Sequence, residues 1–225
     1  MPVSVPTPVP AHAPAHGQPP DSPAAAALPA SDLRSGPQAL AAAAPASFSS
    51  ARLRLERPRA AHAEAVRESV NASLAGLRFV HWAQQAFALD DARRFCEADA
   101  ERVAAGECLI YFAFERASGR FVGNLDLHSF DHAVPSCQIG YVGDTRLAGR
   151  GLMREAALAL IDLGFGLGLQ RIEARCDLRN ERSIHFAQTL GLQYEGLMRG
   201  AARDPQGQLC DEVLLARLRG DARPA

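Results

Sequence analysis

The sequence predicts a mixed α/β (α+β) domain: a central sheet of about six to seven strands flanked by about four helices. Three observations predict it. "ARLRLE" and "RIEARCD" alternate apolar and polar residues, the two-residue period of a strand. Leu152, Ala156, Ala159, Leu160 and Leu163 recur at helical spacing. Strand-like runs cluster early and alternate with helical runs later, which excludes both a plain doubly wound sheet and a barrel.

Taken in order, "ARLRLE" puts Leu53 and Leu55 on one face and reads as an edge strand. "RAAHAEAVRESV", 59–70, reads as a helix. A second helix runs from about Leu89 to Ala104, with Asp90 and Asp91 at its start and Gly106 after its end. "CLIYFAFE" and "RFVGNLDLHSF" form a hairpin around "RASG", and "SCQIGYVGD" is a further strand with glycines inside it. A basic glycine turn then opens the third helix. "RIEARCD" follows as a strand, and "NERSIHFAQTLG" is a short helix that Gly191 closes. "QYEGLMRG" and "DEVLLARL" pair as a last hairpin around "RDPQGQ". No internal repeat is evident.

Residues 1–50 hold most of the 15 prolines and few large apolar residues. Such a segment cannot bury enough surface to offset its ordering entropy, so it reads as a disordered Pro/Ala-rich tail ahead of one domain at 51–220. A net charge of −1 argues against direct nucleic-acid binding. All 24 basic residues are arginine, which excludes a Walker lysine and a pyridoxal Schiff base. Cys96, Cys108, Cys137, Cys176 and Cys210 are odd in number and not closely spaced, as reduced thiols of a cytoplasmic protein would be. No membrane span and no signal peptide are expected. His128 and His132 have a ligand-like spacing but run from a strand into a loop without a third ligand, so no metal is expected.

The chemistry concentrates in "RLAGRGLMREAALALIDLGFGLG", 146–168. The first N–H groups of a helix lack internal partners, and the helix dipole adds positive charge there. Gly149 and Gly151 have no Cβ to keep an anion from the backbone, and Arg146 and Arg150 add charge. The turn reads as a phosphate site.

The spacing Arg146-x-x-Gly149-x-Gly151 at a strand–helix junction resembles the acyl-CoA pyrophosphate loop of the GNAT acetyltransferase superfamily. "GLGLQRIEARCDLRNERSIHFAQTLGLQYEGLMRG" resembles its RimJ/RimL branch, the N-terminal acetyltransferases of ribosomal proteins. The likeness extends over about 51–219. It implies the GNAT fold, acetyl-CoA as cosubstrate and transfer of an acetyl group to a primary amine in a ternary complex. By the resemblance, the cofactor's pantetheine arm lies where the central strand bulges, at Gly140 and Gly143. N–H groups of Ile139, Gly140, Tyr141 and Val142 then polarise the thioester. The loop Arg146, Leu147, Ala148, Gly149, Arg150, Gly151 and Leu152 holds the diphosphate. The two glycines inside the strand have a plainer reading, relief of crowding against the helix.

Asn180 and Ser183 match the pattern in which the asparagine contacts the cofactor and the serine protonates the departing thiolate. Tyr141 is a second catalytic candidate. Phe79, His81 and Trp82 match an aromatic loop that frames the acceptor cleft, although Trp82 equally suits a core, and His128 is a further acceptor-side candidate. The glutamate expected as base is replaced by Ala202. Asp204, Glu195, His128 and a water relay are the stand-ins. The acceptor stays open: a protein N-terminus, ribosomal or other, or a small amine such as a polyamine, amino acid or antibiotic. A non-catalytic acyl-CoA-binding module is the alternative from another class. A monomer and a homodimer are both compatible.

Overall fold

Side chains of "LIYFAFE" point alternately to opposite faces, and both faces are covered. The structure, a computed structural model, describes residues 37–224. Its strands are β1 (Ser47–Ser49), β2 (Leu53–Glu56), β3 (Leu109–Glu115), β4 (Phe121–Asp131), β5 (Ser136–Gly143), β6 (Arg171–Asp177), β7 (Gln193–Arg203) and β8 (Leu209–Leu218). They form one sheet in the order β1-β2-β3-β4-β5-β6-β8-β7. All pairings are antiparallel except β5 with β6. The helices are α1 (Pro37–Ala43), α2 (Ala63–Ser73), α3 (Leu89–Ala104), α4 (Leu152–Gly166) and α5 (Glu181–Thr189).

Every residue of β3 is buried, as a central strand between two layers must be. Leu109, Tyr111 and Ala113 join a core with α1, α4 and α5. Ile110, Phe112 and Phe114 join the opposite core with α2 and α3. Helix α4 lies close on the sheet: a Cβ added at Gly164 would stand 3.0 Å from Leu127 Cδ1 and 3.1 Å from Ile172 Cδ1. Gly106 and Gly191, both at positive φ, follow the ends of α3 and α5 as the sequence implied.

Several expectations change. Part of the expected tail is folded: Leu40, Ala41 and Ala44 are buried in the α4-side core, and Tyr111 donates to Pro45 O at 2.6 Å. Composition misled because this segment needs no core of its own; it docks Leu40 and two alanines on a face the sheet already offers. The remaining tail, 1–36, lies outside the described residues. Strand β1 pairs with the outer side of β2, giving eight strands rather than about seven, and β2 is no longer the edge. The fifth helix, α1, comes from the same segment. Finally, α2 begins at Ala63 because residues 60–62 form a 3₁₀ turn, with buried His62 2.9 Å from Glu56 Oε1.

Candidate active site

Strand β5 positions the site by parting from β6. Their parallel pairing ends at Gln138↔Glu173, while β5 continues beside β4 to Gly123↔Gly143. Asp144 N donates to Val122 O at 2.8 Å, which fixes the antiparallel alternation. Gly140 and Val142 therefore turn their N–H groups to β4. Tyr141 and Gly143 turn theirs to the opening. The strand carries no register shift between Ile139 and Gly143; the irregularity of this pair lies between His128 and Asp131. The expected bulge is thus replaced by simple divergence. The glycines relieve crowding instead: a Cβ on Gly140 would meet Asp126 Oδ1 at 2.2 Å, and one on Gly143 would meet Met153 Cγ at 2.7 Å.

The opening leads to the turn before α4. Gly149 and Gly151 take left-handed conformations, with φ of 77° and 71°, which cost other L-residues about 1–2 kcal/mol. Their glycines are required by backbone conformation, since a Cβ on Gly149 would touch nothing within 4 Å. The first intrahelical bond of α4 runs from Glu155 N to Gly151 O. The N–H groups of Leu152 and Met153 come before it, at the positive end of a helix of 15 residues.

A cavity of about 440 Å³ lies here, lined by Val142, Gly143, Leu147, Ala148, Gly149, Gly151 and Leu152. Arg146 and Arg150 do not line it. Arg146 is folded back on Asp144, with NH2 2.6 Å from Oδ2, and Arg150 reaches Glu115 at 2.7 Å. Both guanidinium groups, expected at an anion, are paired with nearer carboxylates in this structure. The arginines that line it are Arg154, in the first turn of α4, and Arg182, in the first turn of α5. Neither was singled out in the sequence. Arg154 is anchored by a bond from Nε to Thr189 O at 3.1 Å.

A second cavity, of about 340 Å³, opens on the other side. Phe79, His81, Trp82, Ile139 and Gly140 line it, together with Cys176, Ala202, Asp204 and Glu212. Trp82 also packs 4.6 Å from Phe95, so lining and core packing coexist. His128 lines neither cavity. It sits opposite Gln138 on β4, with Nδ1 3.0 Å from Asp126 Oδ2. The cavity linings therefore lend no support to its acceptor-side role or its candidacy as base. Glu195 also lies outside both cavity linings, held by Arg171 at 2.8 and 2.6 Å.

The cavities meet at Val80, Tyr141, Asn180 and Ser183. Asn180 caps α5, its Oδ1 accepting from Ser183 N at 3.2 Å. That bond fixes the first turn and so the Ser183 hydroxyl. Tyr141 OH donates to Ser183 O at 3.1 Å and lies 3.2 Å from Ser183 Oγ; Cys176 Sγ is 3.3 Å from the same oxygen. Burial pushes the Tyr141 phenol well above its usual range. It also raises the Cys176 thiol. The junction is a cluster of protonated groups able to give up or relay a proton. No group of three or more metal-ligating side chains occurs among the described residues.

A sheet opened between two strands, with a helix-mouth turn on one side and a second cavity on the other, defines a two-substrate transferase architecture. Residues 52–193 match the family model of the GNAT acetyltransferase domain, and the chain belongs to that family. A curated relative, the uncharacterized N-acetyltransferase p20 of Bacillus licheniformis, is 33% identical over 99 residues, 44% of this chain. The match spans 55%, about half, of that relative's length. Among solved structures, the microcin C7 self-immunity acetyltransferase MccE, in complex with acetyl-CoA and AMP, superposes with a TM-score of 0.71. It is 21% identical, over 77% of this chain and 97% of its own. A Salmonella typhimurium acetyltransferase that modifies the N-terminal serine of ribosomal protein L7/L12 gives 0.67 at 22% identity, over 75% and 96%. At these identities the two structures speak for the fold.

Proposed function

We propose that the protein is an acetyl-CoA-dependent N-acetyltransferase acting on a primary amine. The observation that carries this reading is the meeting of two cavities at Tyr141, Asn180 and Ser183. One is built for a phosphate-bearing donor, the other for an acceptor.

The donor-side residues fit acetyl-CoA. Leu152 and Met153 offer N–H groups at a helix mouth to a diphosphate, and Arg154 and Arg182 add charge. The strand edge at Tyr141 and Gly143 offers main-chain bonds to an extended amide-bearing arm. Bound there, acetyl-CoA supplies an acetyl group activated as a thioester. Tyr141 N–H, fixed in the sheet, stabilises negative charge that develops on a carbonyl oxygen in the gap. The walls of the two cavities bring donor and amine together, which removes much of the entropic barrier. Ser183 Oγ and Tyr141 OH, held in contact, supply a proton to the departing sulfur. Its raised pKa keeps the Tyr141 phenol protonated at neutral pH.

The acceptor is a protein α-amino group in our reading. The aromatic side chains Phe79 and Trp82 at the acceptor cavity and the neighbour named for an N-terminal serine support it. Ala202, in place of the glutamate the resemblance implies, favours a second reading in which the protein binds the thioester without transferring the acetyl group. One experiment separates them: incubation with acetyl-CoA and a tryptic peptide mixture, followed by thiol assay and mass spectrometry. Transfer releases free CoA and leaves acetylated α-amines. Binding alone releases neither.

A further inference from the structure

We propose that Glu212 is the general base of this site, taking the proton that the acceptor amine must lose. The proposal rests on the acetyltransferase reading above and supplies the group that reading lacks.

Three carboxylates line the acceptor cavity: Asp177, Asp204 and Glu212. Two are already committed. Asp177 accepts Arg179 Nε at 2.9 Å, NH2 at 2.6 Å and the Arg179 main-chain N at 2.8 Å. The guanidinium holds its pKa down at about 2. Asp204 accepts Arg179 NH2 at 3.0 Å and the main-chain N of Gln206 and Gln208 at 3.1 and 2.9 Å. The same guanidinium lowers its pKa. A carboxylate so stabilised as an anion is a poor proton acceptor. Glu212 differs. Its side chain has no hydrogen-bond or ion-pair partner among the described residues, and it is half-buried on the cavity wall.

The register explains how it replaces the absent glutamate. Ala202 of β7 stands opposite Cys210 of β8. Glu212 is two residues further along β8, so it projects on the same face as Cys210. Beyond that pair the register shifts and Met198 stands opposite Glu212, while Ala202 and Glu212 both line the acceptor cavity. The strand beside Ala202 thus carries a carboxylate on the same cavity wall. Burial is the main cause that raises the Cys176 thiol, and the Glu212 charge adds the smallest share. Charged and titratable groups around it are Asp177 and Arg175 on β6, Arg203 on β7, Asp204 and Arg179 on the flanking loops, and His81 on the aromatic segment. Arg175 is paired with Glu173 at 3.1 Å. Arg203 is bonded to Gly207 O at 2.7 Å.

The step balances as follows. An ammonium acceptor gives one proton to Glu212, directly or through one water. The neutral nitrogen bonds to the carbonyl carbon as the carbon–sulfur bond breaks. The second proton lost by nitrogen replaces the one that the Ser183–Tyr141 hydroxyls give to sulfur. Glu212 then releases its proton to solvent. The products are the amide, the thiol and one proton.

Glu212→Gln tests the role, with the tryptic peptide mixture as acceptor. At pH 6.5 the variant is expected to lose on the order of 10²-fold in kcat/KM, and the deficit should shrink towards pH 9 as α-amines deprotonate unaided. Acetyl-CoA affinity by calorimetry should stay within about twofold. Adding Ala202→Glu to that variant should recover at least about tenfold by restoring a carboxylate to the same space. Wild-type turnover in Glu212→Gln, or an equal loss at every pH without rescue, would overturn the proposal and leave the acetyltransferase reading standing. Acetyl-CoA binding without acetylation of any peptide by the wild-type protein would overturn the acetyltransferase reading, and Glu212 as base with it.

Discussion

The hydroxyl pair at the cavity junction makes the sharpest prediction. Tyr141 OH and Ser183 Oγ are 3.2 Å apart, close enough to act as one proton-delivering unit. Removing a general acid costs about 10²-fold in rate, or about 2.7 kcal/mol of transition-state stabilisation. Tyr141→Phe and Ser183→Ala should each show that loss. If they acted independently the double variant would lose about 10⁴-fold, whereas groups in one relay are strongly non-additive. The double variant is therefore expected to lose only about 10²–10³-fold. The assay is initial-rate thiol release at saturating acetyl-CoA, with calorimetry to show that donor affinity changes little. Each variant forfeits hydrogen bonds worth about 1 kcal/mol of stability, too little to unfold the domain. Fully additive losses, or a loss confined to acetyl-CoA affinity, would refute the shared proton path.

Three further outcomes are expected. Asp99 is buried, and desolvation raises its carboxyl to about 6 despite Arg102 at 3.3 Å. A carboxyl raised in the folded state destabilises the fold as pH rises from about 4 to about 6 and leaves a constant penalty above. Asp99→Asn should then stabilise by about 1–3 kcal/mol at pH 7.5 and by little at pH 4, read from urea unfolding at both values. Gly164→Ala should destabilise by about 1–3 kcal/mol although alanine is the better helix former, because Leu127, Ile172 and Leu169 stand at 3.0–3.2 Å from the added methyl. A gain in denaturation midpoint would contradict the close packing of α4. Arg182→Ala should weaken CoA binding by about tenfold at low salt and by less at high salt, measured by calorimetry. The same substitution at Arg146, held by Asp144, should change affinity little.

Much of this site was legible in the sequence, and the parts that were not share a cause. Gly149 and Gly151 announced a special backbone because few other residues take positive φ. Asn180 and Ser183 announced a helix start with a hydroxyl in its first turn. Leu53 and Leu55 alternated as a buried strand face should, and both are fully buried. What escaped was pairing across the chain. Arg150 was assigned to an anion because its partner Glu115 is 35 residues away. Glu212 drew no notice because only the folded sheet brings it and Ala202 to one cavity wall. Helix α1 was missed because its burial depends on a sheet face built by later residues. The Arg146–Asp144 pair, by contrast, spans two residues and was open to inspection.

The account stands on CoA being held where β5 parts from β6 and α4 begins. Titration of CoA into isotope-labelled protein, followed by main-chain amide shifts, tests this most directly. The largest changes are expected at Tyr141, Gly143 and Gly149 to Met153. Absence of shifts, or shifts confined to the far side of the sheet around α2 and α3, would contradict it.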